Sequence, residues 1–134
     1  MSELRAEYEA ESQQPSVRWD SAFWRDGVVC IPHSINRTHR LSHSMRAVLI
    51  LLMDHADEKG EAWPGHDSMA LDADLSIRTV ERALQELHRT GMVSWQRRGQ
   101  GKTNIYTLHQ DGFEQFIGQE HEIQTRQNDE SRPA

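Results

Sequence analysis

One cysteine, Cys30, stands in a chain of 134 residues, which excludes an internal disulfide. The N-terminus lacks the basic-then-apolar order of a secretory signal, so the cytoplasm is the expected compartment. Apolar runs are short: the longest, Ala47 to Met53, falls far below the roughly 20 residues that cross a bilayer, and no membrane partner is expected. A glycine-rich phosphate loop, a nucleophile motif and a carboxylate cluster spaced for magnesium are all missing, so the expected role is non-enzymatic and without cofactor. Of the eight histidines, His33, His39 and His43 lie near Cys30, but their spacing matches no structural zinc pattern and no metal is expected.

An excess of positive charge is also absent, since the formal net charge is -6. Taken whole, that argues against a nucleic-acid partner, but the segments differ in sign. Residues 1–15 carry Glu3, Glu7, Glu9 and Glu11 against Arg5, and residues 111–134 carry six acids against Arg126 and Arg132. Between Ser76 and Gln110, by contrast, Arg78, Arg82, Arg89, Arg97, Arg98 and Lys102 face only Glu81 and Glu86. A basic face is therefore embedded in an acidic chain.

The length suits one domain with tails. Residues 1–15 are polar and end in proline, as an acidic flexible tail does, and the closing QTRQNDESRPA has the same character. Aromatic and β-branched residues surround Asp26-Gly27, a hairpin-turn signal, which predicts a short strand at Gly27 to Ile31 with a weaker partner before it. Leu41 to Glu58 predicts a first helix, capped by Ser42 and carrying Met45, Val48, Leu49, Leu52 and Met53 at helical spacing. EAWPG reads as an extended link, because proline pushes Trp63 out of helical space. A second helix follows from about His66 to Ala73.

Ser76 is placed to cap a third helix whose Val80, Ala83, Leu84 and Leu87 form an inward stripe, with Gly91 supplying the left-handed terminus. Met92 to His109 then reads as a β-hairpin around GQGKTN, and FEQFIGQEHEI as one or two amphipathic turns. Trp63 and Trp95 are expected in the core or at its rim, and Trp19 and Trp24 in the core or a dimer interface.

Helix, link, helix, tight turn, helix and basic hairpin together satisfy the geometry of an α+β winged helix-turn-helix, a three-helix core with a hairpin wing. The expected boundaries are 1–15 for the tail, 16–110 for the domain with its N-terminal strand or hairpin, and 111–134 for a short helix and polar tail. A helix entering a major groove end-on reads bases with its first residues, and here those are Ser76, Ile77, Arg78, Thr79, Glu81 and Arg82. Arg78 or Arg82 suits a bidentate contact to guanine, Ser76 or Thr79 a hydroxyl donor, and Glu81 a cytosine amine or a neighbouring arginine. In the wing, Arg97, Arg98, Gln100, Lys102, Thr103 and Asn104 surround two glycines that let the backbone approach a phosphate.

Particular residues carry a resemblance over Gly27 to Leu108: Leu41-Ser42, Ala56-Asp57 with Gly60, Trp63-Pro64, Met69-Ala70, Leu75-Ser76, Thr79-Val80, Leu84, Leu87, Gly91, and Asn104 with Tyr106. This run is similar to the winged helix-turn-helix domains of bacterial, phage and plasmid replication initiators and related transcription regulators. GVVCIPHSIN resembles the short strand that precedes that domain in many initiators. Gly65 and Asp74 depart from the pattern, where a capping serine and a turn glycine are usual. The resemblance implies sequence-specific binding of double-stranded DNA by a transcription regulator. The alternatives are a replication initiator or accessory origin-binding factor, and a protein-interaction module whose acidic tails hold a protein partner. A homodimer is expected, with Gly27 to Ile31 and Phe113 to Ile117 as candidate interfaces.

Overall fold

The structure, a computed structural model, describes residues 26–131. The chain runs α1 (His33–Arg37), α2 (His43–His55), β1 (Glu61–Ala62), α3 (His66–Ala73), α4 (Ile77–Arg89), β2 (Val93–Gln96), β3 (Ile105–Leu108) and α5 (Gln110–Ser131). The three helices expected from periodicity are α2, α3 and α4. The Ser42 hydroxyl accepts from the Met45 N–H at 3.2 Å and starts α2, whose Met45, Val48, Leu49 and Leu52 are buried. This helix stops at His55, short of the expected Glu58, because the Asp57 carboxylate accepts from the backbone N–H groups of Lys59 and Glu61, each at 2.9 Å. An aspartate that bonds its local backbone in this way favours a turn over another helical turn.

Asp74 takes φ 55 and ψ 48, the left-handed conformation that lets α3 turn sharply into α4. Val80, Ala83, Leu84 and Leu87 of α4 are all buried in one cluster with Leu49 and Leu52 of α2 and Met69 of α3. Burying each of the valine, leucine and methionine side chains among them contributes roughly 1.5–3 kcal/mol. Tyr106, Val93 and Ala62 bring the sheet into the same core.

The hairpin forms as expected, with Val93 opposite Leu108 and Gln96 opposite Ile105. The link EAWPG does more than connect: β1 adds to the other side of β3, with Glu61 opposite Thr107 and Ala62 opposite Tyr106, for a strand order β1-β3-β2. Because Ala62 and Tyr106 share the inner face, the next residue turns outward, and Trp63 is 51% exposed rather than in the core or its rim. Trp95 does pack against the core, with its ring 5.2 Å from that of His88 and 6.1 Å from that of Tyr106.

Two further expectations are corrected. Gly27 to Ile31 pairs with no strand among the described residues and leads instead into α1, where the Pro32 carbonyl accepts from the N–H groups of Ile35 and Asn36. Ile35 and Ser34 are buried, so this segment is anchored by a helical turn and not by a ladder. The expected weaker strand before it, the acidic N-terminal tail, Trp19 and Trp24 lie outside the described residues.

The second correction concerns the C-terminal segment, a single helix of 22 residues rather than a turn or two and a polar tail. Phe113, Phe116, Ile117 and Glu120 recur at helical spacing and seat α5 against the domain. Arg40 clamps it: the guanidinium lies 3.9 Å over the Phe116 ring and donates to the Phe116 carbonyl, the Gln119 amide oxygen and the Glu120 carboxylate. Phe116 is therefore a core residue, not part of an open dimer face, with Phe113 and Ile117 packed beside it. Among the described residues no helix is long and apolar enough to cross a membrane.

Candidate nucleic-acid interface

The N-terminus of α4 is organised by two hydroxyls. Ser76 Oγ accepts from the Thr79 N–H at 3.1 Å and lies 2.7 Å from Thr79 Oγ1. One of the two hydroxyl hydrogens is spent between them, leaving one for an incoming acceptor. Ile77 beside them is 48% exposed, an apolar side chain that α4 presents to solvent. Arg78 and Arg82 are exposed and make no hydrogen bond or ion pair among the described residues, so their five N–H donors each remain available.

Facing this helix end is the wing. Gly99 and Gly101 hold φ 113 and φ 77, which carry the loop through its bend. Arg98 spans the loop, donating from Nε to the Thr103 carbonyl at 2.8 Å and from its terminal nitrogen to Thr103 Oγ1 at 2.9 Å. Arg98 is thus a cationic staple more than a free arm, while Arg97, Gln100 and Lys102 are exposed with no such bonds among the described residues.

Between helix and wing lies an open cleft of about 410 Å³, lined by Pro64 to Asp67, Ile77 and Gly101 to Asn104. A neighbouring groove of about 230 Å³ brings Glu81 and Gln85 of α4 against His66, Trp95, Arg97 and Asn104. The structure thus gathers Ile77, Glu81, Arg97, Lys102, Thr103 and Asn104 around two hollows that share His66 and Asn104 in their walls. Ser76, Arg78, Thr79, Arg82, Arg98 and Gln100 line neither.

Within the described residues Glu81 faces a histidine and not an arginine. Its carboxylate lies 3.5 Å from His66 Nδ1, and His66 Nε2 lies 2.8 Å from the Tyr106 hydroxyl. Burial pushes the Tyr106 phenol above its ordinary value, a hydrogen bond from Asn104 opposes this, and the Glu81 charge adds to the rise. The phenol therefore stays protonated, and one hydrogen bond joins it to His66 Nε2 while Glu81 faces the other ring nitrogen.

Sequence reasoning did not single out His66, Asp67 or Pro64 as site residues. Their place depends on β1: pairing Ala62 with Tyr106 draws the start of α3 up to the wing, and a two-residue strand leaves no alternating pattern to read.

Residues 39–93 match a family described as a helix-turn-helix domain. Comparison with curated proteins finds no match. Among solved structures, the N-terminal domain of a DNA binding protein aligns with a TM-score of 0.50 at 16% identity, covering 90% of this chain and 100% of the other. A possible transcriptional regulator from Methanosarcina mazei aligns with a TM-score of 0.47 at 19% identity, over 72% of this chain and 78% of its own. A Rep protein solved in complex with DNA aligns with a TM-score of 0.47 at 16% identity, over 80% and 98% of the two chains. Helix order, left-handed turn, three-stranded sheet and family match agree: the chain carries a winged helix-turn-helix domain.

Proposed function

We propose that this chain binds double-stranded DNA sequence-specifically in the cytoplasm as a regulator of transcription, with the first turns of α4 in the major groove and the wing on the backbone beside it. The observation that carries this reading is a pair of arginines, Arg78 and Arg82, exposed and without partners among the described residues at the start of a well-packed helix, with the exposed wing cations Arg97 and Lys102 beyond it. A major groove about 12 Å wide admits such a helix. Ser76 and Thr79 add a hydroxyl donor and the helix end its backbone N–H groups, both suited to a phosphate. A homodimer follows from the same argument, because one module of this size rarely reaches useful specificity.

Base readers and backbone cations separate experimentally. Lys102→Ala should weaken binding to every duplex alike and reduce the slope of log affinity against log salt by about 0.9. Titrating duplexes of several sequences across a salt series measures both quantities. A wild-type chain that binds no duplex at low salt, and instead retains a protein, would sink this reading in favour of an interaction module.

A further inference from the structure

We infer that Asp67 acts as an electrostatic brake on this interface, holding down affinity for the DNA backbone without choosing a sequence. The inference rests on the DNA-binding reading above. The N-cap of α3 is Gly65, which has no side chain to cap the helix. Asp67 takes over that work: its Oδ1 accepts from the Ser68 N–H at 2.9 Å. A Cβ built on Gly65 would meet the same oxygen at 2.7 Å and the Thr103 methyl of the wing at 3.5 Å. The carboxylate therefore lies over Gly65, on the wall of the cleft that Lys102 and Thr103 close from the other side.

A helix N-terminus attracts anions through its free N–H groups and positive dipole end. Here the chain's own anion is already present. Asp67 is exposed, and no cation pairs with it within the described residues, so its charge is not cancelled locally. A phosphate track between α3 and the wing would meet attraction from Lys102 and repulsion from Asp67 at once. Because every duplex carries the same phosphates, the repulsion lowers specific and non-specific binding by a similar factor.

Asp67→Asn keeps an oxygen for the Ser68 N–H and removes the charge. On a mixed-sequence duplex and on a preferred duplex selected from a random pool, it should bind about tenfold tighter to both, with a salt slope steeper by up to about 0.9. The ratio between the duplexes should not change. Gly65→Ser supplies a capping hydroxyl and must push the Asp67 carboxylate aside, so it should tighten binding in the same direction by a smaller factor. A gain in affinity cannot arise from misfolding, which only loses it. If the wild type binds and Asp67→Asn binds no tighter, or gains on one sequence only, the brake is wrong. If the wild type binds neither duplex, the DNA-binding reading itself fails, and the brake falls with it.

Discussion

Arg82→Ala is expected to cost about 1–3 kcal/mol on the preferred duplex, roughly five- to 150-fold in affinity, and to relax preference at one base pair while leaving the others intact. The side chain is exposed and bonded to nothing among the described residues, so its removal leaves Val80, Ala83, Leu84 and Leu87 packed as before. Thermal stability should accordingly change by less than about 0.5 kcal/mol. The contrast with Lys102→Ala is diagnostic, because a backbone cation weakens all sequences equally. Binding profiles of both variants against a panel of single-base-pair changes decide the matter. A uniform loss from Arg82→Ala would remove α4 from the role of reader.

Gly112→Ala is expected to be the most damaging single methyl in the described fold. A Cβ at Gly112 would stand 2.1 Å from the Gly91 carbonyl oxygen, 2.6 Å from its carbon and 3.0 Å from Met92 Cα, all backbone. Backbone cannot swing away as a side-chain tip can, and Gly91 is itself held at φ 82 where α4 ends. Either α5 lifts from the domain, losing Phe116 and Phe113 from the core, or the turn between α4 and β2 distorts. The cost should reach about 3 kcal/mol or more, a fall in Tm of roughly 10 °C for a domain of this size. Gly118 lies in the same helix, exposed and with nothing within 4 Å of a built Cβ. Gly118→Ala should therefore stabilise by about 0.5–1 kcal/mol, since alanine loses less conformational freedom in a helix. Thermal melts of the two variants give opposite shifts, and a shared loss would mean that helix interior glycines matter here for another reason.

Why some elements are legible in the sequence and others are not follows from where their energy comes from. The α4 stripe repeats at helical spacing beneath a capping serine, and both signals are local, so Ser76 to Arg89 is readable without any tertiary knowledge. Asp74 is readable as a turn because its type tolerates left-handed backbone. By contrast, β1 has two residues, and only its ladder to β3 makes it a strand. The reading of Gly27 to Ile31 as a strand relied on β-branched residues and a turn pair, local signals that Pro32 and the burial of Ile35 override. The length of α5 was hidden because its distal half carries few apolar residues, while its proximal half is held by Arg40, some eighty positions upstream.

The site shows the same division. Arginines at a helix start and cations around glycines are visible in sequence, and all are exposed in the structure, although only Lys102 lines the cleft and only Arg97 the groove beside it. The bond of Arg98 across to Thr103 and the Glu81–His66–Tyr106 chain are not visible, because each joins residues through folded geometry. These contacts change what the residues are free to do, with Glu81 drawn to His66 and Arg98 to its own loop.

The most direct test of the central claim, that the start of α4 reads DNA, is selection of bound duplexes from a random pool at moderate salt with competitor DNA. The account predicts enrichment of a defined motif, arranged as an inverted repeat if two copies bind together, and loss of one specified position when Arg82→Ala replaces the wild type. Binding without any enriched motif would contradict it, leaving a protein that holds the backbone and reads nothing.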